Sequence, residues 1–142
     1  MLDKKNFYIN GKWVSPLEGR EFKVIDPSNE ESCAKISLGG KKDVDMAVSA
    51  AKKAFETWAF SKKEERLELL EKLYIVYKKR WAEMAKLISM EMGAPMKFST
   101  EMQAATGASH IKSFKNILKD FKFEKDLGEE KNNQKLLYEP KG

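Results

Sequence analysis

The sequence predicts an α+β fold that is mainly helical. Three features of its 142 residues indicate this fold. Residues 1–40 hold short alternating segments separated by turn residues, a pattern typical of strands. Residues 42–118 repeat apolar side chains at intervals of three and four, the spacing of amphipathic helices. Residues 120–142 return to alternation and predict two more strands.

The composition favours a single globular domain that binds neither nucleic acid nor membrane. With 42% hydrophobic residues, the chain is long enough to bury one core. The net charge is +5, but 22 acidic residues are mixed among 27 basic ones, whereas a nucleic-acid-binding surface clusters its basic residues. No apolar run approaches the roughly 18 residues needed to span a bilayer.

Cysteine usage and the N-terminal segment lead us to expect a cytoplasmic protein. Cys33 is the single cysteine, so no internal disulfide can form and a reducing compartment is expected. The segment Met1–Gly11 lacks the apolar core of a signal peptide.

A β-hairpin is predicted near the N-terminus. Phe7–Ile9 and Lys12–Val14 are short strands, and Asn10-Gly11 lies between them. Asn-Gly between two apolar-rich runs favours a type I′ turn, because both residues tolerate a positive φ.

Two further strands follow the hairpin. Glu21–Ile25 and Ala34–Leu38 alternate apolar and polar residues, with Cys33 at the start of the second strand. Asp26–Asn29 turns the chain between them. Gly39-Gly40 precedes a helix but lacks the rest of a phosphate-binding motif, so we interpret it as a hinge.

The first helix is predicted at about residues 42–58. Small residues in the middle of its apolar stripe would allow another helix or a sheet to approach closely. The stripe consists of Val44, Ala47, Val48, Ala51, Ala54, Phe55 and Trp58.

A long helical block is predicted from Ser61 to Pro95. Ser61 and Glu64 form a capping-box pattern at its start. At its end Gly93 can adopt a left-handed conformation and Pro95 prevents continuation. Its stripe consists of Leu70, Leu73, Tyr74, Tyr77, Trp81, Met84 and Ile88.

A further helix is predicted at about residues 96–118. Gly107 interrupts its stripe and indicates either a close backbone approach or a bend. The tail then predicts strands at Phe121–Glu124 and Lys135–Tyr138, with a polar loop over Leu127–Asn133. Two isolated strands have unpaired edges, so we expect another chain or segment to pair with them.

No catalytic or metal site is predicted by residue spacing. His110 is interpreted as a structural or surface residue, and Cys33 as a packed thiol. Neither a CxxC nor an HExxH spacing is present. The three tryptophans are interpreted as packing anchors.

The order of several short motifs resembles the N-terminal portion of the NAD(P)+-dependent aldehyde dehydrogenase superfamily. Each motif is weak alone, but their order and approximate spacing match the family over nearly the whole chain. The motifs are Phe7–Val14, Val24–Ser28, Ile36–Gly40, Asp43–Val48, Ala50–Phe55 with Trp58, Arg66 with Leu70, Glu91–Pro95 and Tyr138–Gly142. Two residues depart from the usual pattern: Ala94 replaces a lysine and Lys141 an aliphatic residue.

The resemblance implies an enzyme that oxidises an aldehyde to a carboxylic acid with NAD or NADP. The catalytic cysteine, the general-base glutamate and the cofactor-binding core of the family follow the segment that this chain resembles. We therefore expect no catalytic or cofactor-binding residue within this chain, no bound cofactor and no activity from the chain alone.

The resemblance also implies a division of the chain into three parts. Residues 1–40 form strands, residues 41–119 form helices that would pack on the cofactor-binding domain, and residues 120–142 form an oligomerisation arm. The expected partners are the remainder of the enzyme and another subunit, as a homodimer or homotetramer. The arm residues are Phe121, Phe123, Leu136, Leu137 and Tyr138.

The resemblance also implies a division of the long helical block, a tunnel edge and a cation site. By the resemblance, the long block divides near Lys79–Trp81 into helices at about 62–79 and 80–92. Met102, Gln103 and Thr106 are expected at the edge of a substrate tunnel. The backbone carbonyl of Ile25 and the side chain of Glu91 are expected to hold a monovalent cation; alternatively, Glu91 is a surface residue at a helix end.

Two alternatives to the enzyme segment remain. The chain could be a free-standing helical module whose apolar faces and arm bind a partner or a second copy. Nucleic-acid binding through the basic charge is ranked last, and it predicts an affinity that falls steeply with salt.

Overall fold

A computed structural model describes residues 1–128 and 134–141. Helices dominate it, as the sequence predicts. The helical elements are α1 (Lys41–Trp58), α2 (Lys63–Lys79), α3 (Trp81–Met92), the short α4 (Met96–Phe98), a π-helical turn (Ser99–Gln103, hereafter the π turn) and α5 (Ala104–Asp120). The strands are β1 (Leu2–Lys4), β2 (Phe7–Ile9), β3 (Lys12–Val14), β4 (Arg20–Asp26), β5 (Glu31–Leu38), β6 (Glu124–Asp126) and β7 (Lys135–Leu137).

A three-stranded sheet has the order β1-β5-β4. Strand β5 pairs with β1 in parallel and with β4 in an antiparallel ladder, which has a register shift between Val24 and Ile25. The sequence predicted β4 and β5 but began β5 at Ala34, whereas the strand begins at Glu31. Strand β1 was not predicted, because Leu2–Lys4 has little alternation and is held by pairing with residues 34–36.

The predicted N-terminal hairpin is confirmed. Strands β2 and β3 pair antiparallel, with Ile9 opposite Lys12. Asn10 and Gly11 have φ of 51° and 75°, the left-handed values that a type I′ turn requires.

The predicted division of the long helical block is also confirmed. Arg80, with φ of −101° and ψ of 14°, leaves helical geometry and separates α2 from α3. Gly93 adopts φ of 70° after α3, and its N–H donates to the Ser89 carbonyl oxygen at 2.9 Å.

The predicted cap of α2 is wrong by one residue. Lys62 is the N-cap, and its N–H donates to the Glu65 carboxylate at 2.7 Å. The Ser61 hydroxyl instead donates to the Trp58 carbonyl oxygen at 2.7 Å and accepts from Arg66 Nε at 2.8 Å. Because these bonds engage the hydroxyl, it does not cap the helix.

The predicted helix at 96–118 is divided by the π turn, and the division does not occur at Gly107. The Ala104 N–H donates to the Ser99 carbonyl oxygen, five residues back, as in a π-helix. Gly107 lies inside a continuous α5, where a Cβ would lie 2.9 Å from the Tyr77 Cζ. Gly107 therefore marks a close approach and not a bend. The neighbour that approaches is the side chain of Tyr77, whereas a backbone was expected.

Small residues form the buried core of the described chain. The buried apolar residues are Ala34, Ala85, Ala94, Ala104 and Ala108, and the fully buried side chain of largest volume is that of Ser99. Larger apolar side chains remain half-exposed on α1, α2 and α5; Val44, Val76 and Phe114 are 57%, 51% and 65% exposed. Small residues of α3 and α5 are therefore buried, while much of the apolar surface of the helices faces outward.

Candidate functional site

The N-terminus of α1 is closed by carboxylates of the chain itself. Asp43 is 3% exposed, and its carboxylate accepts N–H bonds from Leu17, Gly40 and Glu18 at 2.6, 2.9 and 3.2 Å. The Gly40 N–H, followed by that of Leu17, holds the pKa of the Asp43 carboxyl below its ordinary value. Asp43 thereby ties the loop before β4 to the start of α1.

These residues do not fit a dinucleotide phosphate. A helix N-terminus after Gly-Gly offers free N–H groups to an anion. Here the Gly40 N–H is bonded to Asp43, and the Lys42 N–H donates to Glu18 Oε2 at 3.0 Å. A Cβ at Gly40 would lie 2.6 Å from the Glu18 Cβ, so protein atoms fill the space beside the glycine.

The three residues predicted to edge a substrate tunnel lie at the end of the π turn and the start of α5. Met102 and Thr106 are exposed, and the Thr106 hydroxyl donates to the Met102 carbonyl oxygen at 2.8 Å. Gln103, between them, is half-buried. The structure thus brings the three together on one stretch of helix, and the tunnel stays a prediction.

Two aromatic side chains support this stretch from α2 and α3. Tyr77 Oη donates to the Ala104 carbonyl oxygen at 2.9 Å, and Trp81 Nε1 donates to the Thr100 carbonyl oxygen at 3.1 Å. The two rings meet edge to face with centroids 6.2 Å apart. These bonds support carbonyl groups at both ends of the π turn, where the α-helical ladder is disturbed.

The two residues predicted to hold a cation lie on elements that contact each other. Ile25 is on β4, directly after its register shift, and Glu91 is at the exposed end of α3. Beyond these elements, Pro27 packs on Gly93, where a Cβ would lie 2.8 Å from the proline Cγ. The cation site remains a prediction.

Cys33 and His110, the remaining candidates from the sequence, lie in the sheet and on the surface of a helix. Cys33 is a free thiol whose Sγ lies 3.4 Å from the Val24 carbonyl oxygen within the sheet. His110 is exposed on α5. Over residues 1–128 and 134–141, no group of three or more His, Cys, Asp and Glu side chains could hold a metal ion. No helix in that part of the chain is long and apolar enough to cross a membrane.

The predicted arm is a two-stranded ribbon. Strands β6 and β7 pair antiparallel, with Lys125 opposite Leu136, and Leu136, Leu137 and Tyr138 are all exposed. The first strand was predicted at Phe121–Glu124, but β6 begins at Glu124. Phe121 is instead the C-cap of α5, and its ring packs on that of Phe123 with centroids 4.9 Å apart. Of the loop predicted at Leu127–Asn133, residues 129–133 lie outside the described part of the chain.

An apolar groove of about 450 Å³ lies beside the root of this ribbon, and we call it the arm groove. It runs between α2 and α5 and reaches the end of α1. Apolar side chains form its walls, and Arg66 supplies its charged group. The lining residues are Trp58, Arg66, Leu69, Leu70, Phe114, Ile117, Leu118, Phe121 and Phe123.

Asp43, Tyr77 and Arg66 organise these regions, and none was assigned a role in a site from the sequence. Asp43 stands three residues after Gly40, where a carboxylate can bond back to the N-cap N–H, so a capping signal was present. The contacts of Tyr77 with Ala104 and of Arg66 with Phe123 join distant segments and leave no local pattern.

The exposed apolar surfaces, the exposed ribbon and the closed helix N-terminus are features of a structural segment. Comparison with known sequences shows the family to which this segment belongs. The sequence model of the aldehyde dehydrogenase family matches residues 13–142. The chain belongs to the aldehyde dehydrogenase family and corresponds to an N-terminal portion of it.

Individual relatives and solved structures support the same family. The 3-succinoylsemialdehyde-pyridine dehydrogenase of a Pseudomonas species is 41% identical over 143 residues, which cover 100% of this chain and 29% of the relative. The crystal structure of an aldehyde dehydrogenase from Bartonella henselae has 51% identity and a TM-score of 0.88, over 91% of this chain and 27% of that one. A mutant of aldehyde dehydrogenase C from Pseudomonas syringae, complexed with NAD+ and octanal, has 33% identity and a TM-score of 0.85 over 87% of this chain and 26% of that one. The chain thus spans between a quarter and a third of the length of these relatives.

Proposed function

We propose that this chain is the N-terminal structural segment of an aldehyde dehydrogenase. In the proposed enzyme, its helices cover the cofactor-binding domain and its arm contacts another subunit. The intact enzyme would oxidise an aldehyde with NAD+ or NADP+. The steps would be thiolate attack, hydride transfer and hydrolysis of the thioester, with the nucleophile and the cofactor site supplied by other parts of the protein.

The observation that carries the proposal is the accessible surface of the chain. It is 11,369 Å², whereas a folded monomer of 16.3 kDa is expected to expose about 7,500 Å². The excess of about 3,900 Å² is larger than one chain's share of even a large obligate interface, about 2,500 Å². An excess of this size favours a whole domain as the missing neighbour over a small partner.

Helix α1 is the element that most needs such a neighbour. Its tertiary contacts are few and are made mainly with β2. Val44 and Val48, on its apolar stripe, are 57% and 46% exposed. The alanine-rich middle of this stripe would let another helix or a sheet approach closely.

The arm supports association between subunits. An isolated two-stranded ribbon is marginally stable in water. Among the described residues, no further strand pairs with either outer edge, and such edges offer backbone groups to another chain. Leu136 and Leu137 are 42% and 56% exposed on β7. A dimer or tetramer of the intact enzyme would cover them. A cytoplasmic location is part of the proposal, and it is supported by the free thiol of Cys33.

The test is reconstitution of activity from two pieces. This chain would be mixed with the part of the Pseudomonas 3-succinoylsemialdehyde-pyridine dehydrogenase that follows the matched segment, and NAD(P)+ reduction would be followed with several aldehydes. We expect turnover from the mixture and none from this chain alone. Val48→Glu should abolish reconstitution, whereas Lys53→Glu, on the opposite face of α1, should leave it intact.

Two outcomes would overturn the proposal. Turnover by the pure chain would show that it contains its own catalytic centre. A chain that forms a defined dimer and never reconstitutes activity would favour the free-standing interaction module, for which the exposed ribbon is the supporting feature.

A further inference from the structure

The root of the arm is an aromatic cluster. The Tyr138 N–H donates to the Phe123 carbonyl oxygen at 2.8 Å, which closes the ribbon next to the end of α5. The Phe121 ring lies 4.9 Å from that of Phe123 and 5.7 Å from that of Tyr138, between centroids. We call these three residues the arm root. The direction of the ribbon depends on what holds this cluster against the helices.

Apolar packing in the arm groove does not hold it firmly. Leu69, Phe114 and Ile117 line the groove and are still 52%, 65% and 60% exposed. An apolar contact is also non-directional, so it does not select one orientation of the ribbon. A directional contact is needed.

Lys63 fixes the end of α5. Its ammonium donates to the carbonyl oxygens of Lys119 at 3.0 Å and Phe121 at 3.4 Å. A cation at a helix C-terminus satisfies free carbonyl groups and matches the helix dipole. This contact secures the residue where the arm begins, and it does not reach the ribbon.

Arg66 reaches from the α1–α2 corner to the arm root. Its Nη2 donates to the carbonyl oxygens of Trp58 at 3.2 Å and Ala59 at 3.1 Å, and its Nε donates to the Ser61 hydroxyl at 2.8 Å. Three bonds from one planar group fix the plane of the guanidinium relative to the corner.

The guanidinium held in this way contacts two aromatic rings. Its Cζ lies 5.7 Å from the ring centroid of Trp58 and 6.0 Å from that of Phe123, both at cation–π range. Trp58 ends α1, whereas Phe123 belongs to the arm root. One side chain of α2 therefore joins the end of α1 to the arm.

We propose that Arg66 is the positioning residue of the arm and sets the direction of the ribbon through its contact with Phe123. Where the arm contacts another subunit, a step that rests on the proposed function, Arg66 would determine which edge of the ribbon that subunit meets. A lysine keeps the charge but lacks the planar fork, so it cannot make the three bonds and the stacking contact together.

The test is hydrogen exchange of the complete chain, read by mass spectrometry on arm and helix peptides separately. In Arg66→Lys we expect amides of residues 124–127 and 135–138 to exchange about tenfold faster, the scale expected for loss of a cation–π contact and charge-assisted bonds. Amides of α3 and α5 should stay within about twofold of the parent. Arg80→Lys is the matched control, because the Arg80 guanidinium is exposed and pairs with Glu83.

Phe123→Leu tests the same contact from the other side, and it also applies if Arg66→Lys fails to fold. It should accelerate exchange in the arm to a similar degree, and the double variant should add little. Unchanged arm exchange in either folded variant, equal acceleration in the helices, or additive effects in the double variant would overturn the proposal. Sedimentation of the reconstituted enzyme tests the proposed function separately, since an enzyme that remains monomeric argues against subunit association without altering the exchange result of this chain.

Discussion

The Tyr77 hydroxyl donates a hydrogen bond to the Ala104 carbonyl oxygen at 2.9 Å. Ala104 is fully buried and is the first residue of α5 after the π turn. Gly107, one turn later, has no side chain, and this leaves room for the tyrosine ring against the helix. Tyr77 of α2 thus contacts α5 at the point where that helix has no side chain.

Tyr77→Phe should destabilise the chain by about 1 kcal/mol, because it removes the hydrogen bond to Ala104 and a typical hydrogen bond contributes about that much to stability. Urea denaturation followed by circular dichroism measures the change. Tyr74→Phe is the matched control, because the Lys78 ammonium faces the ring of Tyr74 and a phenyl ring keeps that contact. Equal losses in the two variants would contradict a specific role for the Tyr77 hydroxyl.

Gly107→Ala should also destabilise, although the same change in an open helix stabilises by about 1 kcal/mol. The new Cβ would overlap the Tyr77 ring and hydroxyl, and we expect a loss of about 2 kcal/mol from overpacking. Thermal unfolding of the single variant and of the Tyr77→Leu/Gly107→Ala double variant measures it. The double variant should recover the helix-propensity gain relative to Tyr77→Leu alone, and a stabilised single variant would refute the close approach.

Asp43→Asn should destabilise at neutral pH and reduce the acid sensitivity of the chain. The pKa of Asp43 is lowered in the folded state by N–H bonds from Gly40, Leu17 and Glu18. Its contribution is therefore full above the unfolded pKa of about 3.9 and is lost as the pH falls through the lower folded value. Urea midpoints between pH 7 and pH 2 measure how stability changes with pH. Below about pH 4, stability should fall less steeply with decreasing pH in the variant than in the parent.

Asp45→Asn is the control for that experiment. Asp45 lies on the same turn of α1 but is exposed, and it pairs only with Lys41 at 2.6 Å among the described contacts. We expect little change at neutral pH, because exposed ion pairs contribute little. If both variants lose the same stability, the buried bonds of Asp43 are not the cause.

Asn10→Ala should loosen the β2–β3 hairpin by about 1 kcal/mol, because alanine resists the left-handed φ that asparagine adopts here. Asn10→Gly should preserve the turn. Amide exchange of residues 7–14 measures both. Equal protection in the two variants would show that the tertiary contacts of the hairpin, and not its turn, hold it in place.

The sequence predicted most of the helices and turns, because the signals for them are local. Gly93 ends α3, and Asn10-Gly11 forms the hairpin turn, because these residues tolerate the left-handed backbone that they adopt. Strand β1 was not predicted, because only pairing with a segment about thirty residues away makes Leu2–Lys4 a strand. The error at Ser61 has a different cause, since two other local bonds, to Trp58 and Arg66, engage the hydroxyl in place of the cap.

The candidate sites were less predictable, because their geometry comes from contacts between elements. Helical periodicity passes smoothly through Phe98, Met102 and Ala105 and does not reveal the π turn. The bonds that support the turn come from Tyr77 and Trp81, on other helices. Likewise, the resemblance includes Arg66 among its motifs but gives it no role, which comes from the position of its guanidinium beside Phe123.

The π turn at Ser99–Gln103 has a consequence for the evolution of this chain. A π turn holds one residue more than an α-helical turn, so it amounts to an inserted residue that needs no loop. Deleting one residue there would restore an unbroken α-helix and rotate everything from Ala104 onward by about 100° about its axis. Gly107 would then turn away from Tyr77, and a larger side chain would face that ring. The extra residue in the π turn and the glycine in α5 should therefore be gained or lost together.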